Sequence, residues 1–210
     1  MKFEIKSAVI PLILLNISVF ILEIAFGNDF INSFVLVSND VFTRPWILLT
    51  SMFLHAGINH LFLNMYTLLI FGSFLEQRIG VKRFFFVYLA FGLAAGFLSS
   101  FFYSKALGAS GAIMGVIGAL IILMPNLRLL LFFIVPMPLW VVGIIYALLD
   151  IFGVFFPSGV GNIAHLTGMA MGLLYGIYLK KDKRQFDKKF HSKRHLEKED
   201  VEEYLKSGRI

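Results

Sequence analysis

Four polar side chains stand in parts of this sequence that are otherwise almost free of charge. Ser110 lies in ALGASGAIMG, from Ala106 to Gly115, and His165 lies in GNIAHLTGMAMG. His60 and Asn64 lie in INHLFLNM, four residues apart, and so share one face of a helix. A hydroxyl is a weak nucleophile until a neighbouring base takes its proton, and imidazole suits that task near neutral pH. A serine and a histidine brought together could therefore attack a carbonyl group. The oxyanion that forms needs donors close by. Backbone N–H groups at a helix start, at Ser110 and Gly111, could supply them, as could the side chains of His60 and Asn64. Gly108 would let the chain turn sharply just before the serine. Neither Asp nor Glu is near His165 in sequence, so the expected machinery is a Ser–His dyad. The plainer reading of the same stretch is packing, since glycine and alanine around Ser110 let helices approach.

The elements that must carry these residues follow from composition. Of 210 residues, 58% are hydrophobic and 15% charged, with a mean hydropathy of +0.81. A soluble domain of this size needs more polar surface, so the expected solvent is lipid. The chain has no cysteine, which excludes a disulfide framework and a thiolate zinc site. A helix crosses a hydrocarbon core of about 30 Å with about 20 apolar residues. The charges divide the chain into apolar blocks near 8–26, 59–77, 84–103, 110–124, 138–156 and 162–179. The first is too long for a cleaved signal peptide, and no small-x-small cleavage site follows it. These blocks predict an all-α polytopic membrane protein, a bundle of six transmembrane helices over residues 1–180. A basic tail occupies 181–210, and a loop of some thirty residues at the membrane interface joins the first two spans. Trp46 suits that interface.

Lysine and arginine placement sets the expected orientation. Six spans put 17 of the 19 basic residues on one side, leaving Arg44 and Lys105 on the other. Both termini are then cytoplasmic, in what reads as a prokaryotic cell membrane. The tail KKDKRQFDKKFHSKRH lies at the anionic leaflet surface rather than on nucleic acid. The end of the tail, LEKEDVEEYLKSGRI, is of mixed charge and reads as a short helix or as disordered. His60, Asn64, Ser110 and His165 all fall at the outer ends of their spans. Polar residues in lipid are costly and mark functional sites. Gly111, Gly115 and Ala119 recur at every fourth residue, as do Gly168, Gly172 and Gly176. Two such faces can pack closely and would set Ser110 against His165. Packing and chemistry are then compatible.

Other intramembrane chemistries fit less well. Neither His55 nor His60 begins the H-E-x-x-H of a zinc protease. Asp150 has no second intramembrane aspartate near it, as an aspartyl enzyme requires. Glu76 and Glu23 read as structural hydrogen-bonding or ion-pair residues. A small channel or transporter would show inverted repeats, and none is visible.

Three segments, taken in order, resemble the signatures of the rhomboid family of intramembrane serine proteases. They are FLHAGINHLFLNM (Phe53–Met65), GASG (Gly108–Gly111) and AHLTGMAMG (Ala164–Gly172), with EQRIG (Glu76–Gly80) similar to the family's segment closing the second span. The resemblance covers about 44 to 179. It implies hydrolysis of a peptide bond in or beside a substrate's transmembrane helix, with no metal or cofactor. Ser110 would be the nucleophile, His165 the general base, and His60, Asn64 and Ser110 the oxyanion hole. Gly108, Gly111, Gly168, Gly172 and Glu76 would be structural support. The alternative within the resemblance is an inactive relative that only binds membrane helices. Two positions depart from the pattern. Arg44-Pro45-Trp46 stands where many members carry Trp-Arg. Met114 occupies the place of an aromatic that stacks on the catalytic histidine, so His165 must be oriented by other contacts. The sequence leaves the natural substrate and the oligomeric state open.

Overall fold

In the computed structural model, which describes residues 7–131, 135–156 and 159–191, the apolar blocks are helices. The first, α1 (Val9–Phe34), runs past the expected end near 26. Gly27 interrupts it with φ 65 and ψ −147, a conformation open to glycine that lets the chain break and restart as a second helical segment. A short helix, α2 (Ile47–Thr50), lies in the connection. The second span, Ile58–Ile79, is α3 (Ile58–Thr67) and α4 (Ser73–Ile79) joined by a π-helical turn at Leu68–Gly72. The next helix, α5 (Val81–Ser99), begins and ends earlier than the 84–103 expected. Lys82 and Arg83 sit in its first turn, where long basic side chains can reach water. Then come α6 (Ser110–Leu123), α7 (Leu139–Phe155) and α8 (Asn162–His191). The last extends past the apolar block into the basic stretch. Lys2, Lys6 and residues 192–210, including the distal end of the tail, lie outside the described residues.

Among the described residues, three helices are long and apolar enough to cross a membrane: Val9–Phe34, Ile58–Ile79 and Val81–Ser99. Ser110–Leu123 and Leu139–Phe155 are apolar but shorter. Large apolar side chains face outward along the helices, among them Ile24 at 71% and Phe155 at 75% exposure. That distribution suits lipid contact. The chain is an all-α polytopic membrane protein. Two short antiparallel pairs accompany the helices: β1 (Leu36–Val37) with β2 (Lys105–Ala106), and β3 (Arg128–Leu131) with β4 (Val135–Pro138).

The centre of the bundle is α6. Its residues from Gly111 to Leu120 are all buried. Fourteen residues rise only about 21 Å, and a helix walled by protein need not match the bilayer. Its closest partner is α8. A Cβ on Gly168 would overlap the Gly111 carbonyl, one on Gly172 the Gly115 carbonyl, and one on Gly176 would lie 2.9 Å from the Ala119 carbonyl. The two small-residue faces therefore meet in register, backbone on backbone. A second partner is α5, whose Phe91 ring fills the space over Gly115.

Buried carboxylates hold the periphery. Glu76 Oε2 accepts from the Ala8 and Val9 N–H groups, both at 3.0 Å, and from Ser7 Oγ at 3.2 Å. It thereby satisfies N–H groups that the start of α1 leaves free. Glu23 Oε1 accepts from the His55 N–H at 3.0 Å, tying α1 to the loop before α3. That loop is ordered. Arg44 pairs with Asp40 at 3.1 Å and donates to the Asn32 and Ser33 carbonyls. Strand β1 pins it to β2, two residues before Gly108.

Candidate active site

The helix starts of α6 and α8 and one face of α3 surround a cavity of about 850 Å³. Ser110, Gly108, Gly111, His60, Asn64 and His165 all line it. Each arrives there for a local reason. Gly108 has φ +117, and its N–H donates to the Ser51 carbonyl at 2.9 Å. This sharp turn ends the excursion after α5 and starts α6 at Ser110. The first backbone hydrogen bond at the helix start is Ile113 N–H to the Ala109 carbonyl, 3.0 Å. The N–H groups of Ser110, Gly111 and Ala112 are left outside the helix's own hydrogen bonding, at the positive end of its dipole. A Cβ on Gly111 would lie 3.4 Å from the Ala164 carbonyl. The residues beside Ser110 and His165 therefore touch.

His60 approaches the turn from α3. Its Nε2 lies 3.0 Å from where a Cβ on Gly108 would sit, and Ser110 Oγ lies 3.9 Å from the same point. Its Nδ1 accepts from the Ala56 N–H at 3.4 Å. An accepting Nδ1 puts the proton on Nε2, which makes the nitrogen nearer Ser110 a donor. One turn along, Asn64 is 7% exposed and its Nδ2 has no hydrogen-bond partner. Two donors thus line the cavity that Ser110 lines.

His165 differs from expectation. Its Nδ1 lies 3.0 Å from Asp150 Oδ1. The reading that no carboxylate accompanies His165 is corrected here. Asp150 stands about a turn and a half before the end of α7, and His165 is in the first turn of α8. The connection reverses the chain, so the two come to one depth. The signal in the sequence was the cost of a carboxylate among apolar residues, which demands a partner. The facing glycine stripes would bring the Ser110 hydroxyl within reach of the imidazole; among the described residues Ser110 Oγ makes no hydrogen bond, to that ring or to another group. In unliganded sites such bonds are often long and tighten when substrate binds.

Sequence reasoning missed two further groups. The Tyr103 hydroxyl accepts from the Ile163 N–H at 3.1 Å and caps the start of α8. His55 is 2% exposed, packs edge-on to His60 with centroids 5.0 Å apart, and its Nδ1 faces the Phe53 carbonyl at 3.3 Å. Burial, with the neighbouring His60 adding to it, lowers its pKa to about 4. Tyr103 carries no signature at the level of spacing, because it acts on the backbone of a segment sixty residues away.

A family model described as Rhomboid domain matches residues 43–182. Rhomboid protein 1, mitochondrial, of Saccharomyces cerevisiae is 34% identical over 192 residues, which is 86% of this chain and 55% of that protein. RHOMBOID-like protein 6, mitochondrial, of Arabidopsis thaliana is 45% identical over 80 residues, 37% of this chain and 26% of that protein. Rhomboid protease GluP of Bacillus subtilis is 35% identical over 132 residues, 60% of this chain and 24% of that protein. The chain spans about half the length of the yeast relative and about a quarter of the other two.

Proposed function

This chain belongs to the rhomboid family, and on that basis we propose that it is an intramembrane serine protease with Ser110 as nucleophile and His165 as general base. The observation that carries the proposal is the convergence in one cavity of a serine at a helix start, a histidine and two side-chain donors. Asp150 accepts at His165 Nδ1, so the proton sits there and Nε2 keeps its lone pair. As Ser110 Oγ bonds to the scissile carbonyl carbon, its proton passes to His165 Nε2. The carbonyl electrons move onto oxygen. His60 Nε2–H, Asn64 Nδ2 and the Ser110 N–H are the donors for that oxyanion. When the tetrahedral centre collapses, the C–N bond breaks and the proton moves from His165 to the leaving amine. Water then enters by the same route and releases the acyl group.

The substrate is a membrane protein cut in or beside a transmembrane helix, within or at the edge of the bilayer. The helices α6, α7 and the first half of α8 are the fourth, fifth and sixth crossings. The protein lies in a cell membrane with both termini cytoplasmic and the cavity toward the outer side. The runner-up is an inactive relative that only binds helices, favoured by the unbonded Ser110 hydroxyl. One experiment separates the two. The purified protein in detergent is given a fluorophosphonate probe and a single-span substrate. Labelling and cleavage that vanish in Ser110→Ala and in His165→Ala support the protease. Cleavage that survives in Ser110→Ala overturns it, and a parent inert to the probe and to several substrates favours the binder.

A further inference from the structure

We propose that Asp150 is a positioning residue that holds His165 in the Nδ1–H tautomer and aims its Nε2 at Ser110, so that a third residue orients the pair. The inference rests on the protease reading above and deepens it. Asp150 is one of few carboxylates buried in the apolar helices, and its neighbours on α7, Leu148, Leu149 and Ile151, are exposed toward lipid. Its own side chain is only 7% exposed. Such a group is costly in lipid unless it is partnered. Its partner is His165 Nδ1 at 3.0 Å, and its second oxygen, Oδ2, has no hydrogen-bond partner. The carboxylate thus spends its single contact on the imidazole rather than on the backbone. This differs from Glu23 and Glu76, whose carboxylates bond to helix and loop N–H groups and serve structure.

The geometry also accounts for what α6 does not provide. Met114, one turn into α6, presents no ring to stack on His165. The ring of His165 is held by α7, through Asp150. Gly153, one turn after Asp150, contributes to this arrangement. A Cβ there would lie 2.6 Å from the amide end of the Asn162 side chain, so a larger residue at that position would have to displace that amide. Asn162 in turn donates to the Val160 carbonyl at 3.2 Å, just before α8 begins. The carboxylate orients the base and stabilises the imidazolium as it forms. It touches no reacting atom and exchanges no proton with the substrate.

The test compares Asp150→Asn, Asp150→Glu and the parent, all purified as full-length protein in detergent. An amide can donate to Nδ1 and stabilise the wrong tautomer, and in soluble triads that change costs about 10⁴-fold in kcat. Here Asp150→Asn is expected to lose about 100-fold or more in kcat and in the fluorophosphonate labelling rate of Ser110, with KM within about threefold of the parent. Asp150→Glu, which keeps the acceptor, is expected to recover part of the loss. Nitrogen NMR of histidine-labelled protein, with the His165 signal assigned by its loss in His165→Ala, is expected to show the Nδ1–H tautomer in the parent and not in Asp150→Asn. A purely structural aspartate would lower the thermal midpoint and raise KM without moving that tautomer signal.

The inference is overturned if Asp150→Asn labels Ser110 within about threefold of the parent rate, or if the tautomer is unchanged. Should Asp150→Asn not fold, the tautomer of the parent and the Asp150→Glu kinetics still decide it. A parent that already carries the proton on Nε2, or an Asp150→Glu no more active than an Asp150→Ser of equal stability, rejects it. The protease reading fails separately, through labelling that persists in Ser110→Ala.

Discussion

At Gly108 a single missing methyl group governs the approach of two catalytic candidates. Its φ of +117 disfavours any L side chain, and the added carbon would lie 2.8 Å from His60 Cε1. Gly108→Ala is therefore expected to displace His60 or the turn. A shift of about 1 Å at a catalytic centre costs about 100-fold in rate, and the fluorophosphonate labelling rate of Ser110 measures it. His55 shows a different control at this scale. Its ring is buried neutral against Phe53 and His60, and Glu23 holds its backbone N–H. Its folded pKa of about 4 lies below the ordinary 6.5, so the unfolded chain binds the extra proton between those values. Stability is complete above about 6.5 and is lost as pH falls toward 4. A shift of that size is worth at most about 3 kcal/mol. Thermal midpoints across that window are expected to fall more steeply for the parent than for His55→Gln. Parallel slopes would show that other groups carry the acid sensitivity.

Among the helices, the α6–α8 contact is the most demanding, because backbone meets backbone with no side chain between. Gly168→Ala places a carbon against the Gly111 carbonyl, one residue from Ser110. Overpacking of this kind costs about 1–3 kcal/mol, and the same displacement pulls His165 away from Ser110. Activity is expected to fall further than the thermal midpoint alone explains. Gly96→Ala on α5 is the control. Its added carbon meets only Leu48 atoms at 3.7 and 3.8 Å, and alanine is the better helix former, so the midpoint holds or rises. At the other end of the bundle, Glu76→Ala strips the acceptor from two buried N–H groups at the start of α1. Hydrogen bonds to a charged group are worth about 1.5–3 kcal/mol. The expected loss in stability is of that order, read as a lower thermal midpoint, with the labelling rate at permissive temperature preserved.

For the molecule as a whole, orientation is the property to test, and the absence of cysteine makes the test clean. Single cysteines at Lys105 and at Arg78 would fall on opposite faces of the membrane. In intact cells, an impermeant maleimide is expected to label Lys105→Cys and to spare Arg78→Cys until the cells are opened. The reverse pattern would invert the proposed topology and place the cavity on the inner side.

Much of this protein is written in local pattern. Long apolar stretches demand helices in lipid, because backbone polar groups there find no water. The glycine spacing on α6 and α8 foretold which faces could meet, since only small residues permit such contact. Ser110, His165, His60 and Asn64 stood out because polar groups are rare in such helices. The remainder depended on distance through space. The pairing of Asp150 with His165 rests on a reversal between two helices whose relative rotation no spacing rule specifies. The helix end past Gly27 and the early start of α5 depend on where the flanking turns and charges settle. The unbonded Ser110 hydroxyl depends on side-chain placement, which packing around the cavity sets and composition does not encode.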